Sequence, residues 1–347
     1  MMSQSRRDGL QRPGLKKDRQ FKSTVTVMPG PMKHLKRKQD KTPAPGRTGK
    51  KQLPKTKPPN RLAEKGPEMA SSAEPRTERG SLPPLPSFMI AGIGASAGGL
   101  EACSQVLESL PEDLGMALII VQHLSPQHES FLPDLLGAHS KLPVVQVTEG
   151  MRVDSNRVYV IPPNVHMQIL DGTLHLTARP EDRTQHMPID SFFRSLAEYA
   201  QIRSIGVILS GTASDGAVGV REIKAAGGIT IVQEPSTAHA DGMPRAAMAT
   251  GAVDLVLAPR DIAAELVRIA SHPLVRETPR GEDAGGVDEQ FPRIFSMLRS
   301  ATGVDFTHYK QPTIKRRLQR RMVLHKLTSL DEYIRFLQQN PAEVRGL

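Results

Sequence analysis

From Phe88 onward, short apolar runs alternate with stretches in which apolar side chains return every three or four residues. The runs Phe88–Ile93, Ala117–Gln122, Val144–Val147, Val158–Ile161, Ile205–Leu209, Ile229–Val232 and Leu255–Leu257 have the length and continuity of buried strands. Directly after the first run, Leu100, Val106, Leu107 and Leu110 predict a helix laid on a core. Ser125-Pro126 pairs a cap with a first-turn proline and opens a helix predicted to reach about Ala138. Asp190 is read as the cap of a helix burying Phe192, Phe193, Leu196 and Ala197. Ala217–Ala226 reads as a helix ended by Gly227-Gly228, and Ile262–Ile269 as another. Asp171-Gly172, between Met167–Leu170 and Thr173–Leu176, is a hairpin signal. The alternation predicts an α/β fold: a doubly wound, mostly parallel sheet with a β-hairpin.

The pattern stops at both ends. Residues 1–87 are rich in Lys, Arg, Pro and Gly and show no sustained periodicity, so we expect a disordered basic tail. Ser81-Leu-Pro-Pro-Leu-Pro86 closes it as a stiff spacer. Residues 88–272 form the expected α/β domain, and 273–289 a polar linker containing Gly and Pro. Over 290–347 helical spacing resumes at Ile294, Leu298, Ile314, Leu318, Tyr333, Ile334 and Leu337. This predicts a short, incomplete all-α segment, marginally stable by itself.

The formal net charge of +10 changes meaning once it is divided. Residues 1–87 hold 21 Lys and Arg against 7 Asp and Glu, whereas the rest holds 25 against 29. The folded part is slightly acidic, which argues against inferring nucleic-acid binding from the overall basicity. Lys33-His-Leu-Lys-Arg-Lys38 could touch phosphates or an anionic membrane surface, but a solvated linker accounts for it more simply. A single cysteine, Cys103, excludes an internal disulfide and fits a reducing, cytoplasmic setting. No apolar run approaches the roughly 18 residues that span a membrane, and the N-terminus lacks the apolar stretch of a signal peptide.

Candidate chemistry concentrates in Gly92-Ile-Gly-Ala-Ser-Ala-Gly-Gly99, where the glycines are read as allowing a sharp strand-to-helix reversal with Ser96 at its apex. Gly94-Ala-Ser96-Ala-Gly98 is the G-x-S-x-G of a nucleophile elbow. Gly92-x-Gly94-x-x-Ala97 also fits the loose dinucleotide fingerprint. In a third reading Ser96 only caps a helix. His123 ends the second strand, and Asp215 follows the Ile205–Leu209 strand at the head of a helix. Acyl transfer needs a hydroxyl, a base and an orienting carboxylate, and all three fall on the rim where such a sheet binds its ligand. A dinucleotide fold wants an acidic side chain ending the second strand, where Gln122-His123 stand instead. An ordinary loop histidine and a plain N-cap aspartate remain open, and the order Ser, His, Asp matches none of the common hydrolase orders. His128, His139, His166, His175, His186 and His239 show no metal-type spacing, so neither metal nor cofactor is expected.

Taken together, Gly92–Gly99, Val121-Gln-His-Leu124, Ile161-Pro-Pro-Asn-Val-His166, Leu209-Ser-Gly-Thr-Ala-Ser-Asp-Gly216 and Gly242-Met-Pro-Arg-Ala-Ala247 resemble the catalytic domain of the chemotaxis protein-glutamate methylesterases, the CheB family, over roughly residues 88–272. The resemblance implies Ser96 as nucleophile, His123 as general base then acid, and Asp215 as orienting carboxylate. It implies γ-glutamyl methyl esters on chemoreceptor helices as substrate, with glutamine deamidation through the same acyl-enzyme. It is compatible with an oxyanion hole at the backbone of Ala97 and Thr212, and with Met243 near the substrate. Two positions depart from many relatives: Ala97 stands where they have Thr, and Thr212 where they have Met. Residues 1–87 cannot supply the family's usual receiver domain, so phosphorylation control in cis is not expected, and phosphorelay partners in trans are unknown. Thr302–Phe306 and Tyr309–Met322 resemble the helical N-terminal domain of receptor methyltransferases, with Arg316, Arg317, Arg320 and Arg321 crowded on one helix that could meet acidic receptor helices. The chain thus reads as part of a methylesterase–methyltransferase hybrid, without its own methyl transfer. The alternative function is a non-catalytic receptor-binding adaptor.

Overall fold

The computed structural model describes residues 85–123, 131–179, 186–276, 290–306 and 309–347. The expected tail, apart from its last three residues, the helix start at Ser125-Pro126 and residues 277–289 of the expected linker lie outside that set. Seven strands form the main sheet: β1 (Met89–Ala95), β2 (Met116–Gln122), β3 (Val144–Gln146), β5 (Arg157–Val160), β8 (Ser204–Ile208), β9 (Ile229–Gln233) and β10 (Leu255–Leu257). Their order is β10-β9-β8-β1-β2-β5-β3, and every neighbouring pair is parallel. β1 is therefore central, with β8, β9 and β10 laid outward on one side and β2, β5 and β3 on the other. This puts the switch in winding direction, where doubly wound folds bind ligands, at the carboxyl ends of β1 and its neighbours β2 and β8. β4 (Met151–Arg152), β6 (Val165–Leu170) and β7 (Thr173–Ala178) make a small antiparallel sheet, with the hairpin turned at Asp171 (φ 48°) and Gly172 (φ 79°).

Alternation along β1 divides the core. Met89, Ala91, Ile93 and Ala95 face α1 (Gly99–Glu108) and α6 (Pro259–Ser271), packing with Val106, Leu107, Ile262 and Leu266. Ile90 faces the opposite layer, with Phe192, Phe193 and Leu196 of α3 (Pro188–Ala200) and Val220 and Ile223 of α4 (Ala217–Ala225). Each such aliphatic or aromatic side chain contributes about 1.5–3 kcal/mol through burial. Gly92 and Gly94 are not turn residues, as the sequence reading had them. Both lie inside β1, where a Cβ would stand 2.9 Å from Phe193 Cε1 and 2.5 Å from Ile189 Cγ2 respectively. Their bare backbone seats α3 directly on the sheet.

Three local readings change. Asp190 does not cap α3, whose N-cap is Met187; it lies inside the first turn and accepts instead from the Gly219 N–H of α4 at 2.7 Å. Gly242–Ala249 is a helix, α5, too alanine-rich to display a period. The expected linker begins as a helical turn, α7 (Pro273–Arg276), following α2 (Leu132–Gly137) and α6 in chain order.

The C-terminal helices α8 (Phe291–Thr302), α9 (Gln311–Leu324), α10 (Leu330–Gln339) and α11 (Pro341–Gly346) share a core that includes Phe291, Ile294, Leu318, Tyr333 and Leu337. Ser329 and Glu332 close a capping box on α10. The expected basic face of α9 is corrected: Arg316 and Arg317 are exposed, but Arg320 pairs with Asp254 and Arg321 with Glu343. Those partners lie 66 and 22 residues away, beyond any local pattern. Glu343 also accepts from the Tyr333 hydroxyl at 3.0 Å and sits 3.1 Å from His325 Nε2. Burial alone would raise its pKa, but hydrogen bonds from His325 and Arg321 and their charges bring it down to about 2. Among the described residues, no helix is long and apolar enough to cross a membrane.

Candidate active site

β1 ends at Ala95 and α1 begins at Gly99, leaving three residues to reverse the chain. The Ser96 N–H donates to the Ser210 carbonyl at 2.9 Å, tying the turn to the segment after β8, and the Ser96 carbonyl accepts from Gly99 N–H at 2.8 Å. Gly98 takes the left-handed φ of 74° and is the N-cap of α1, so Ser96 is not that helix's cap. The Ser96 hydroxyl is thereby free for other work. Its Oγ stands 3.4 Å from His123 Nδ1, slightly longer than a closed hydrogen bond, as is common before substrate tightens a site.

His123 follows β2 directly, and its other nitrogen, Nε2, meets Asp215 Oδ2 at 2.8 Å. A proton on Nε2 satisfies both contacts: that N–H donates to the carboxylate, and Nδ1 offers its lone pair to the serine hydroxyl. Asp215, only 1% exposed, follows β8 and makes no cap for α4. Its carboxylate instead accepts from two backbone N–H groups at the start of α3, Ile189 to Oδ2 at 3.0 Å and Asp190 to Oδ1 at 2.9 Å. Those amides, at the positive end of α3, fix the carboxylate in place opposite His123. The Asp190 carboxylate reaches back to Gly219 N–H in the first turn of α4, so the two helix starts hold one another. Burial raises the pKa of Asp190, opposed by the Gly219 N–H. Three adjacent central strands, β2, β1 and β8, thus deliver imidazole, hydroxyl and carboxylate to one rim.

The other predicted positions fall close by. Ala97 and Thr212 are exposed loop residues, and no hydrogen bond among the described residues engages either backbone N–H. Met243 is buried behind Gly211: a Cβ on Gly211 would collide with the Met243 side chain and lie 2.9 Å from Ser96 Cβ. Sequence reasoning missed Ser210 and Gln233. Ser210 Oγ donates to the Ala97 carbonyl at 2.7 Å and accepts from Ala240 N–H at 2.9 Å, while Gln233 Oε1 accepts from Ser210 N–H at 2.8 Å. A polar residue at the carboxyl end of β9 was the available signal. His186 was noted only for lacking metal spacing. Its ring lies 6.1 Å from His123 and 4.7 Å from His166, with Nδ1 3.3 Å from His166 Nε2. Burial, with Arg179 and the neighbouring histidines, lowers its pKa to about 4, so it stands neutral beside the catalytic-type pair.

Residues 91–266 match the CheB methylesterase family, and residues 289–347 match the CheR methyltransferase all-alpha domain. The chain is 36% identical over 238 residues to an uncharacterized 104.1 kDa protein of Rhodobacter capsulatus, covering 62% of this chain and 25% of that one. It is 35% identical over 209 residues to protein-glutamate methylesterase/protein-glutamine glutaminase 4 of Burkholderia thailandensis, covering 60% of each. The chain therefore spans a quarter and three-fifths of these relatives' lengths. The crystal structure of the Thermotoga maritima CheB methylesterase catalytic domain is 27% identical, with a TM-score of 0.49, covering 52% of this chain and 98% of that one.

Proposed function

The chain belongs to the CheB methylesterase family, and from that premise we propose that it hydrolyses glutamate γ-methyl esters on chemoreceptor helices, with Ser96, His123 and Asp215 as its catalytic triad. The observation that carries this reading is the chain of contacts Ser96 Oγ–His123 Nδ1–Asp215 Oδ2 on the switch-point rim. In the proposed reaction His123 Nδ1 takes the Ser96 proton as Oγ attacks the ester carbonyl. The Ala97 and Thr212 N–H groups receive the developing oxyanion. His123 then returns the proton to the departing methoxide, which leaves as methanol. Water, deprotonated by the same nitrogen, opens the acyl-serine; His123 returns that proton to Ser96 Oγ as it departs, and the glutamate carboxylate is freed. An amide in place of the ester follows the same route and releases ammonia, so glutamine deamidation needs no second site. Asp215 keeps its charge throughout and stabilises the imidazolium.

In the proposed organisation, residues 88–272 carry the esterase, 273–289 link, and 290–347 form part of a methyltransferase-type helical domain, within a cytoplasmic protein. Methanol release from methylated receptor fragments tests the reading. Ser96→Ala is expected to lower turnover by about 10⁶ while leaving the thermal melt unchanged. Undiminished turnover in that variant removes the assignment.

A further inference from the structure

Arg320 does not serve the surface on which the sequence places it. Its Nε donates to the Gly228 carbonyl at 2.7 Å, and its terminal nitrogen reaches both oxygens of the Asp254 carboxylate. The Arg320 side chain is 8% exposed and that of Asp254 5%, so the charged pair is withdrawn from solvent. The carboxylate is prepared for it from the esterase side. Thr230 donates its N–H to Asp254 Oδ2 at 2.9 Å, its hydroxyl lies at the same distance while bonding the Ala252 carbonyl at 2.6 Å, and Lys224 Nζ stands 3.4 Å from Oδ1. One turn further along α9, Val323 is buried in the same apolar core as Leu266 and Ile269, and Leu324 packs against it. Leu274 of α7 packs against both this core and that of the C-terminal helices.

Gly228, Thr230 and Asp254 all lie at the amino ends of β9 and β10, whereas Ser96, His123 and Asp215 follow the carboxyl ends of β1, β2 and β8. Parallel strands make these opposite edges of one sheet. We propose that Arg320 is an intramolecular docking residue that holds the helical segment 290–347 on the edge of the sheet remote from the catalytic rim, so that this segment does not gate the site. Burial of a guanidinium against a partnered carboxylate and a carbonyl makes docking specific to this register, since withdrawing either partner strands the other charge. Two of the four arginines of α9 are held in ion pairs within the chain, while Arg316 and Arg317 stay exposed, Arg317 donating to the Leu347 carbonyl at 3.3 Å.

Hydrogen exchange on the full chain, paired with turnover, tests this. In Arg320→Met, amides over 272–276 and 321–327 should exchange about tenfold faster or more, with turnover on a small soluble methyl ester within about twofold of the parent. Arg320→Lys keeps the charge without the fork and should give an intermediate acceleration, and Arg316→Ala none. Unchanged exchange in Arg320→Met, or equal exchange in Arg320→Lys and the parent, overturns the docking role. Turnover that rises tenfold in Arg320→Met overturns the absence of gating. The exchange readout is independent of the esterase reading and the turnover readout rests on it, so the two failures are distinguishable.

Discussion

Gly211 shows how closely the rim is drawn. Any side chain there meets Met243 on one side and Ser96 Cβ on the other. Gly211→Ala should push the loop after β8 away from the serine, costing about 1–3 kcal/mol as overpacking does, and turnover should fall more steeply than the melting temperature. A variant that melts lower yet turns over normally would mean that Ser96 tolerates displacement. At this scale the sequence was legible where a residue carries its own chemistry: Ser96, His123 and Asp215 stood at strand ends with the right functional groups. It was opaque where a residue acts through another's backbone. Ser210 and Gln233 hold the Ala97 carbonyl and the Ser210 amide; the place of Gln233 at the end of β9 marked it as polar on the rim, but not which amide it would bind. The same opacity misread Gly92 and Gly94, whose nearest neighbours come from α3, about a hundred positions further along the chain.

Among elements, the pairing of α3 with α4 decides whether the carboxylate is held. The α3 amides bind Asp215, and Asp190 of α3 binds the Gly219 amide of α4. Asp190→Ala leaves that amide buried without its acceptor and should cost about 1–3 kcal/mol. It should also lower turnover without moving the substrate KM, because orientation rather than binding is lost. Calorimetry beside steady-state kinetics checks this, and an unchanged turnover would show that α3 keeps its place without the reciprocal bond. The strands and most helices were readable because apolar continuity and period report burial directly. α5 and the two-residue β4 were not: α5 is rich in alanine and shows little apolar contrast around its turns, and β4 is too short for an alternation to repeat. The capping role assigned to Asp190 failed because a carboxylate near one helix start was in reach of another.

For the molecule as a whole, the C-terminal helices carry an acid sensitivity of their own. Glu343 has its pKa lowered to about 2 in the fold, below its ordinary value. The unfolded chain therefore binds a proton first as pH falls, and the stabilisation, complete above the ordinary carboxylate range, is lost on the way down toward pH 2. Glu343→Gln should flatten this slope for α8–α11, as followed by exchange of their amides between pH 5 and about 2.5, and an unaltered slope would assign it to other carboxylates. The seat of α3 on β1 has a wider consequence. The positioning of Asp215 depends on two strand residues that possess no side chain. A side chain at position 92 or 94 would lift α3 from β1 and carry with it the amides that hold Asp215, so the geometry of the rim is set partly by the smoothness of a surface.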